Sequence, residues 1–192
     1  MTVAPVEAGP ITTRGGVMQQ GRGQFCRTLG VLTLLVPSVL AAQGTRGPTV
    51  PERLPAYRLL DQFNRLVTDS ALVRRASVII VAGRTGAEAA ERWTQRIRAA
   101  LTPSGPSVIP VADLAGAPRL LRGLIRGMFP RDSSAAVALD WEGVIGRPIR
   151  GDRAPLIAAV YGADGRLRAW MTLSTKTEDQ VTLQRIVALA NL

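Results

Sequence analysis

One stretch of the chain, SVIIVAGRTGAEAAERW from Ser77 to Trp93, constrains the fold more than any other. Its first six residues form an apolar run, which is typical of a strand that is buried on both faces. The corner GRTG follows, and after it apolar residues recur at helical spacing as far as Leu101. A buried strand that leads through a glycine-bounded corner into an amphipathic helix predicts an α/β protein. In such proteins the residues at the corner often carry the function.

The remaining pattern predicts that the sheet is mixed. A second strand is predicted at Ser107–Asp113, and the helix between the two strands sets them parallel. Two later strands flank the turn Ala163-Asp164-Gly165 and form a predicted hairpin, which is antiparallel. The other predicted elements are a helix from Pro118 to about Phe129, an extended piece over Ala135–Gly143, the hairpin strands Leu156–Tyr161 and Arg166–Leu173, and a last helix that Thr177 and Gln180 open as a capping box.

The N-terminal residues have the organisation of a targeting segment. An apolar run extends from Thr28 to Ala42 between arginines and small residues. It is shorter than the roughly 20 apolar residues that span a bilayer. We therefore expect residues 1–42 to be a signal peptide, with Met18 as an alternative start, residues 43–55 to be a flexible lead-in, and residues 56–192 to be the folded domain. The protein is then exported to the periplasm or the extracellular space and keeps no stable membrane anchor after processing.

The cysteine and histidine content excludes much of the chemistry that proteins use. Histidine is absent, and the only cysteine, Cys26, lies within the predicted signal peptide. The processed chain therefore has no thiol for redox chemistry or disulfide formation. It also has no imidazole for a metal site or a catalytic triad. We expect no cofactor and no metal.

The chain is strongly basic, with 24 lysine and arginine residues against 14 acidic ones. Arg119, Arg122 and Arg126 recur at helical spacing, opposite an apolar face that includes Leu124 and Met128. No aromatic residue interleaves with these arginines, as a stacking platform for nucleic acid would require. The pattern favours a solvated helix face, and we expect no nucleic-acid partner.

Three stretches of the chain resemble the thioredoxin superfamily, particularly its redoxin and peroxiredoxin-like branch, over about Asp61 to Leu192. The stretch SVIIVAGRTGAEAAERW is similar to the strand, loop and helix that hold the redox motif. AVALDWEGVIG is similar to an Asp-x-x-Gly strand and turn of that family, and RAPLIAAVYGADGRL is similar to a strand that begins with a cis-proline and ends in an Asp-Gly hairpin. The resemblance implies a thioredoxin-like three-layer α/β sandwich with a mixed central sheet and flanking helices.

The resemblance also implies where the redox site would lie and that its cysteines are missing. It puts Gly86 and Ala89 at the positions of the two cysteines, so attack on a disulfide or a peroxide has no thiolate. Arg84 and Thr85 remain beside a predicted helix N-terminus, which suits an anion. The alternative is that Thr85 merely caps the helix and that Arg84 is solvated.

The family's cis-proline falls at Pro155, where an ordinary trans bond is the alternative. In redox-active relatives the backbone before this proline pairs with substrate peptide, and Ala154 would make that contact here. We therefore expect a redox-inactive binding or structural module for a peptide, a protein or a small anion, with no catalytic residue. The alternative is a thiol-independent enzyme that uses carboxylates such as Asp113 in the same groove. Asp140 and Glu142 are candidates for an acid/base pair, but the Asp-x-x-Gly pattern favours a turn.

Overall fold

A computed structural model describes residues 50–72, 75–151 and 154–192. In this part of the chain a mixed sheet carries helices on both faces. The strands are β1 (Arg58–Asp61), β2 (Leu66–Thr68), β3 (Ser77–Ala82), β4 (Ser107–Asp113), β5 (Ala138–Asp140), β6 (Leu156–Tyr161) and β7 (Leu167–Thr172). The helices are α1 (Ala87–Ala100), α2 (Arg122–Gly127), α3 (Gly146–Arg150) and α4 (Gln180–Ala190). None of the helices in these three ranges is long and apolar enough to cross a bilayer. The predicted signal peptide, residues 1–42, lies outside the described residues.

The strand order is β2-β1-β5-β4-β3-β6-β7. Helix α1 returns the chain along the sheet, so β3 and β4 are parallel, and β5 continues parallel to β4. Strand β6 pairs antiparallel with both β3 and β7. The β6–β7 turn is tight because Gly165 adopts a φ of 73°. The predicted mixed sheet is confirmed, and the bounds of β3, β4 and β6 agree with the sequence analysis.

Alternating residues of the central strands build a core on each face of the sheet. Val78 and Ile80 of β3 pack with α1 and α4 on one face. Ile79 and Val81 point to the other face, where they pack with Ile149 of α3. Helices therefore cover both faces of the sheet, which is the predicted three-layer arrangement.

Strand β7 departs from simple alternation. We expected Leu167, Ala169, Met171 and Leu173 to share one face. Ala169, Met171 and Leu173 do lie against the α1 and α4 core, but Leu167 packs in the core on the opposite face. The reason is a register shift between Val160 and Tyr161, where Val160 pairs with Ala169 and Tyr161 pairs with Leu167.

The capping of helix α4 differs from the prediction. Helix α4 is capped by Asp179, whose carboxylate accepts the backbone N–H of Thr182 at 2.7 Å, and not by the predicted Thr177 box. The end of the predicted flexible lead-in, residues 43–55, pairs with the start of β7. There the Leu167 N–H donates to the Glu52 carbonyl at 2.7 Å, and the Leu54 N–H donates to the Gly165 carbonyl at 3.0 Å. Backbone pairing therefore gives this short piece an ordered position.

The predicted helix over 118–129 consists of a 3₁₀ turn, Arg119–Leu121, followed by the short helix α2. Arg119 is exposed as expected, but the other two arginines and the leucines differ from the prediction. Arg122 and Arg126 lie half-buried against the domain, whereas Leu124 is exposed. The arginines turn inward because Glu142 and Asn64 accept hydrogen bonds from them.

Candidate functional site

The corner between β3 and α1 is a single tight turn. Strand β3 ends at Ala82, and the 3₁₀ turn Arg84–Gly86 leads directly into α1. The Gly86 N–H donates to the Gly83 carbonyl at 3.0 Å, which closes the turn. Gly86 is the residue that caps α1, and no side chain caps the helix there. Thr85 is therefore an exposed corner residue, and the expected alternative of a Thr85 cap is wrong.

The loop before β6 lies directly against this corner. The Gly83 N–H donates to the Pro155 carbonyl at 3.0 Å. A Cβ built on Gly86 would lie 2.3 Å from the same carbonyl oxygen. The peptide bond before Pro155 is trans. The backbone of Pro155, which leads into β6, therefore occupies the space that a side chain at position 86 would need.

The second position that the resemblance assigns to a redox cysteine is also closed. Ala89 lies in the first turn of α1 and is buried in the core that α1 and α4 share. Neither Gly86 nor Ala89 presents a surface to solvent. The chemistry available at the corner must come from the side chains around it.

Those side chains line a depression of about 370 Å³ at the end of the central strands. This volume is in the range of small-ligand sites. The lining residues come from the corner, from the end of β4, from α3 and from the approach to β6. They are Gly83, Arg84, Thr85, Asp113, Ala115, Gly116, Arg147, Arg150, Ala154 and Pro155.

Arg150 forms the floor of this pocket. Its guanidinium donates two hydrogen bonds to one carboxylate oxygen of Asp113, at 2.6 and 3.0 Å, and a third to the Ala154 carbonyl at 2.9 Å. A Cβ built on Gly83 would meet the same guanidinium at 3.2 Å. One cation thus joins the ends of β3 and β4 to the loop that leads into β6.

Helix α3 reaches the pocket because Gly146 allows a close approach. A Cβ at Gly146 would lie 2.7 Å from the Asp113 Cβ, so the helix begins in direct contact with the end of β4. Asp140 fixes this helix start, since its buried carboxylate accepts the backbone N–H groups of Val144, Ile145 and Gly146 at 3.0, 2.8 and 2.7 Å. The Asp-x-x-Gly stretch is therefore the expected turn. Glu142 instead pairs with Arg122 at 2.9 Å, so it forms no acid/base pair with Asp140.

The pocket has a net positive charge. Three arginines and one aspartate line it. Arg84 and Arg147 are exposed, and the ion pairs that the described residues form do not include either of them. Asp113 is buried to 4% exposure under Arg150, and its other carboxylate oxygen accepts the Ala115 N–H at 3.2 Å. Arg84 and Arg147 are therefore available to a ligand, whereas the carboxylate is already engaged.

The structure brings four of the five sequence-predicted groove residues into one site. Arg84, Thr85, Ala154 and Pro155 line the pocket, and Gly86 lies just beneath it. The Ala154 carbonyl, expected to meet a peptide, already accepts the hydrogen bond from Arg150. Sequence analysis assigned no role to Arg147 and Arg150. The sequence signal that could have identified them is the Asp-x-x-Gly turn, because this turn starts the short helix that carries both arginines.

No cluster of three or more carboxylate, imidazole or thiol side chains that could hold a metal ion lies in the described part of the chain. The charged side chains that line the pocket are three arginines and Asp113.

Comparison with known proteins identifies this framework. The structure is similar to the pneumococcal exposed lipoprotein thioredoxin Etrx1 of Streptococcus pneumoniae, with a TM-score of 0.55 and 12% identity over 69% of this chain and 98% of that one. It is also similar to a thiol:disulfide interchange protein assigned as DsbE from Chlorobium tepidum, with a TM-score of 0.52 and 14% identity over 72% and 96% of the two chains. The protein has the thioredoxin fold and lacks both cysteines of the redox motif. No protein-family model matches the sequence, and no curated protein matches it.

Proposed function

We propose that the protein is exported and that its thioredoxin-fold domain binds a small anion or the acidic end of a peptide without thiol chemistry. The observation that carries the proposal is the pair of exposed guanidinium groups, Arg84 and Arg147, on the pocket whose floor is Arg150. Guanidinium groups bind carboxylates and phosphates through paired, charge-assisted hydrogen bonds. The first turn of α1 adds the partial positive charge of a helix N-terminus beside Arg84.

The backbone carbonyl groups at the corner already accept hydrogen bonds within the domain. This favours a ligand that is recognised through its charge over an extended peptide that pairs with the main chain. The Pro155 carbonyl accepts a hydrogen bond from Gly83, and the Ala154 carbonyl accepts one from Arg150. Both acceptors that a peptide strand would seek here have partners within the domain. Catalysis by Asp113 is disfavoured because Arg150 and the Ala115 N–H hold its carboxylate.

Export is supported by the sequence of residues 28–42, which has the composition of a signal peptide. The name of the pneumococcal relative, an exposed lipoprotein, describes an exported protein of the same fold. Periplasmic or extracellular location is part of the same proposal.

Calorimetric titration with three probes tests the binding proposal. The probes are inorganic phosphate, triglutamate, and triglutamine that is acetylated at its N-terminus and amidated at its C-terminus and therefore carries no charge. We expect triglutamate, phosphate or both to bind and triglutamine not to bind. Arg84→Gln and Arg147→Gln should each weaken binding by about ten-fold or more, as expected for the loss of a charge-assisted hydrogen bond.

Arg185→Gln is the matched control, because Arg185 is exposed on α4 and does not line the pocket. It removes the same charge from the protein and should leave affinity unchanged. Equal loss of binding in all three variants would indicate non-specific attraction to a basic protein and would contradict the proposal. Failure of both anionic probes to bind would contradict it as well.

A further inference from the structure

The segment Arg119–Met128 exposes four of its five large apolar side chains, and only Ile125 is half-buried. Leu120 is 97% exposed, Leu124 68% and Met128 77%, and Leu121 is 45% exposed. Such a concentration of exposed large apolar residues in one short segment marks an interaction surface. This surface is separate from the arginine-lined pocket, since none of its residues lines that pocket.

The helical geometry shows that this orientation is built into the segment. Leu120, Leu124 and Met128 recur every four residues and so share one face. The glycines at 123 and 127 lie between them, and a Cβ built on either glycine would meet no atom within 4 Å. The outward face is therefore open at both glycines, with the exposed leucines and Met128 beside them.

The inward face holds the segment in this orientation through its arginines. The Arg122 guanidinium pairs with Glu142 at 2.9 Å and lies 5.2 Å from the centre of the Trp141 ring. Arg126 donates a hydrogen bond to the side chain of Asn64. These contacts place the two arginines on the inward side of the segment and leave the leucines on the outward side.

The charge around the surface identifies the kind of partner. From Leu114 to Arg131 the chain carries four arginines and no acidic residue, and the whole chain has a formal charge of +10. A second copy of the chain would bring the same positive charge to the contact, which opposes self-association. The partner must therefore offer both negative charge and an apolar phase.

We propose that this surface docks reversibly on an anionic lipid bilayer, with Leu120, Leu124 and Met128 entering the acyl boundary. Protruding apolar side chains with exposed arginines nearby, here Arg119 and Arg131, are the features that interfacial helices use. A stable protein interface needs about 800 Å² from each partner, which usually involves a larger or concave surface. A small set of exposed apolar side chains suits a bilayer better. The contact is peripheral, so it differs from a membrane anchor.

A fluorescent reporter on the face itself tests the proposal in the full chain. Gly123→Cys, in a Cys26→Ser background, is labelled with an environment-sensitive dye, because position 123 lies on the open face. Vesicles of phosphatidylglycerol and phosphatidylcholine should shift the emission of this label to shorter wavelength. Vesicles of phosphatidylcholine alone should not. The same label placed by Arg185→Cys on α4 should not respond to either.

In the double variant Leu120→Ser, Leu124→Ser, the lipid concentration that gives half of the response of the label at position 123 should rise by about ten-fold or more. This increase corresponds to about 1.4 kcal/mol. These leucines make no core contact, so the variant should fold as the parent does, which circular dichroism checks. No response of the label at position 123 to anionic vesicles would overturn the proposal. An equal response on uncharged vesicles would overturn it too, as would a response to protein concentration without lipid, which would indicate pairing of two copies.

Discussion

A Cβ placed on Gly86 would lie 2.3 Å from the carbonyl oxygen of Pro155, closer than real Cβ contacts come. The same carbonyl oxygen of Pro155 accepts a hydrogen bond from the Gly83 N–H. Backbone groups therefore make the contacts between this loop and the corner. The position at which the thioredoxin resemblance implies a cysteine is thus filled by the chain itself. Glycine at 86 is required by close packing and not by an unusual φ, since its φ is -104°.

Gly86→Ala should lower the free energy of unfolding by about 1–3 kcal/mol, the usual cost of overpacking. Urea denaturation followed by circular dichroism measures it. Gly123→Ala is the matched control, since a Cβ there meets nothing within 4 Å and alanine favours the helix, so this variant should be as stable as the parent or more so. An unchanged stability for Gly86→Ala would show that the β6 approach does not press on the corner.

Asp140→Ala should destabilise the domain by about 3–5 kcal/mol. The variant leaves the N–H groups of Val144, Ile145 and Gly146 without their acceptor at a buried site. Glu142→Ala, two residues on, removes a solvent-exposed ion pair with Arg122 and should cost about 1 kcal/mol or less. Denaturation of the two variants side by side gives the comparison, and similar stabilities would contradict the role of Asp140 as the organiser of the turn.

The pair of Asp113 and Arg150 should show strong energetic coupling. Arg150→Met alone should cost about 3–5 kcal/mol because it leaves a buried carboxylate unpaired. The double variant Asp113→Leu, Arg150→Met should cost less than the sum of the two single variants, which a double-mutant cycle measures. The exposed pair Asp164 and Arg166, 4.0 Å apart, serves as the reference and should show no measurable coupling. Additive costs at Asp113 and Arg150 would mean that the buried ion pair does not join the strand ends.

Stability should fall at alkaline pH because both tyrosines of the chain are buried. Burial, with a smaller contribution from Asp69, raises the pKa of Tyr57 from 10.0 to about 12, and burial raises the pKa of Tyr161 likewise to about 12. The folded state therefore keeps both phenolic protons between pH 10 and pH 12, where the unfolded chain loses them. This contribution to stability is complete below pH 10 and is lost as pH rises through 12.

Tyrosinate absorbance against pH, together with denaturation at each pH, checks this expectation. Among the described residues the Tyr57 hydroxyl has no hydrogen-bond partner. Tyr57→Phe should therefore cost little below pH 10 and should remove part of the alkaline loss. Ionisation of both tyrosines at their ordinary pKa in the folded protein would contradict the burial described here.

The central sheet could be predicted from the sequence because its strands are apolar on both faces. The runs that form β3, β4 and β6 read as strands without any knowledge of their neighbours. The α2 segment could not be predicted in the same way, since its faces are set by Glu142 and Asn64, which approach from distant parts of the chain. Periodicity identified the helix and its two faces but not which of them is buried.

The residues of the candidate site also differ in whether the sequence could predict them. Arg84 and Thr85 follow directly from the strand, corner and helix pattern, and they do line the pocket. Arg150 reaches Asp113 across 37 residues of sequence, through a helix start that depends on the contact between Gly146 and Asp113. Such a contact depends on tertiary packing, so no local spacing could reveal that a buried arginine forms the floor of the pocket.

The most direct test of the binding proposal is a map of backbone amide chemical shifts during titration with triglutamate, with the acetylated and amidated triglutamine as the uncharged control. The account predicts that triglutamate changes the amides of Gly83, Thr85, Ala115 and Gly116 around the pocket, and that triglutamine leaves them unchanged. Shift changes confined to other surfaces, or equal changes with both peptides, would contradict an anion-binding pocket at this site.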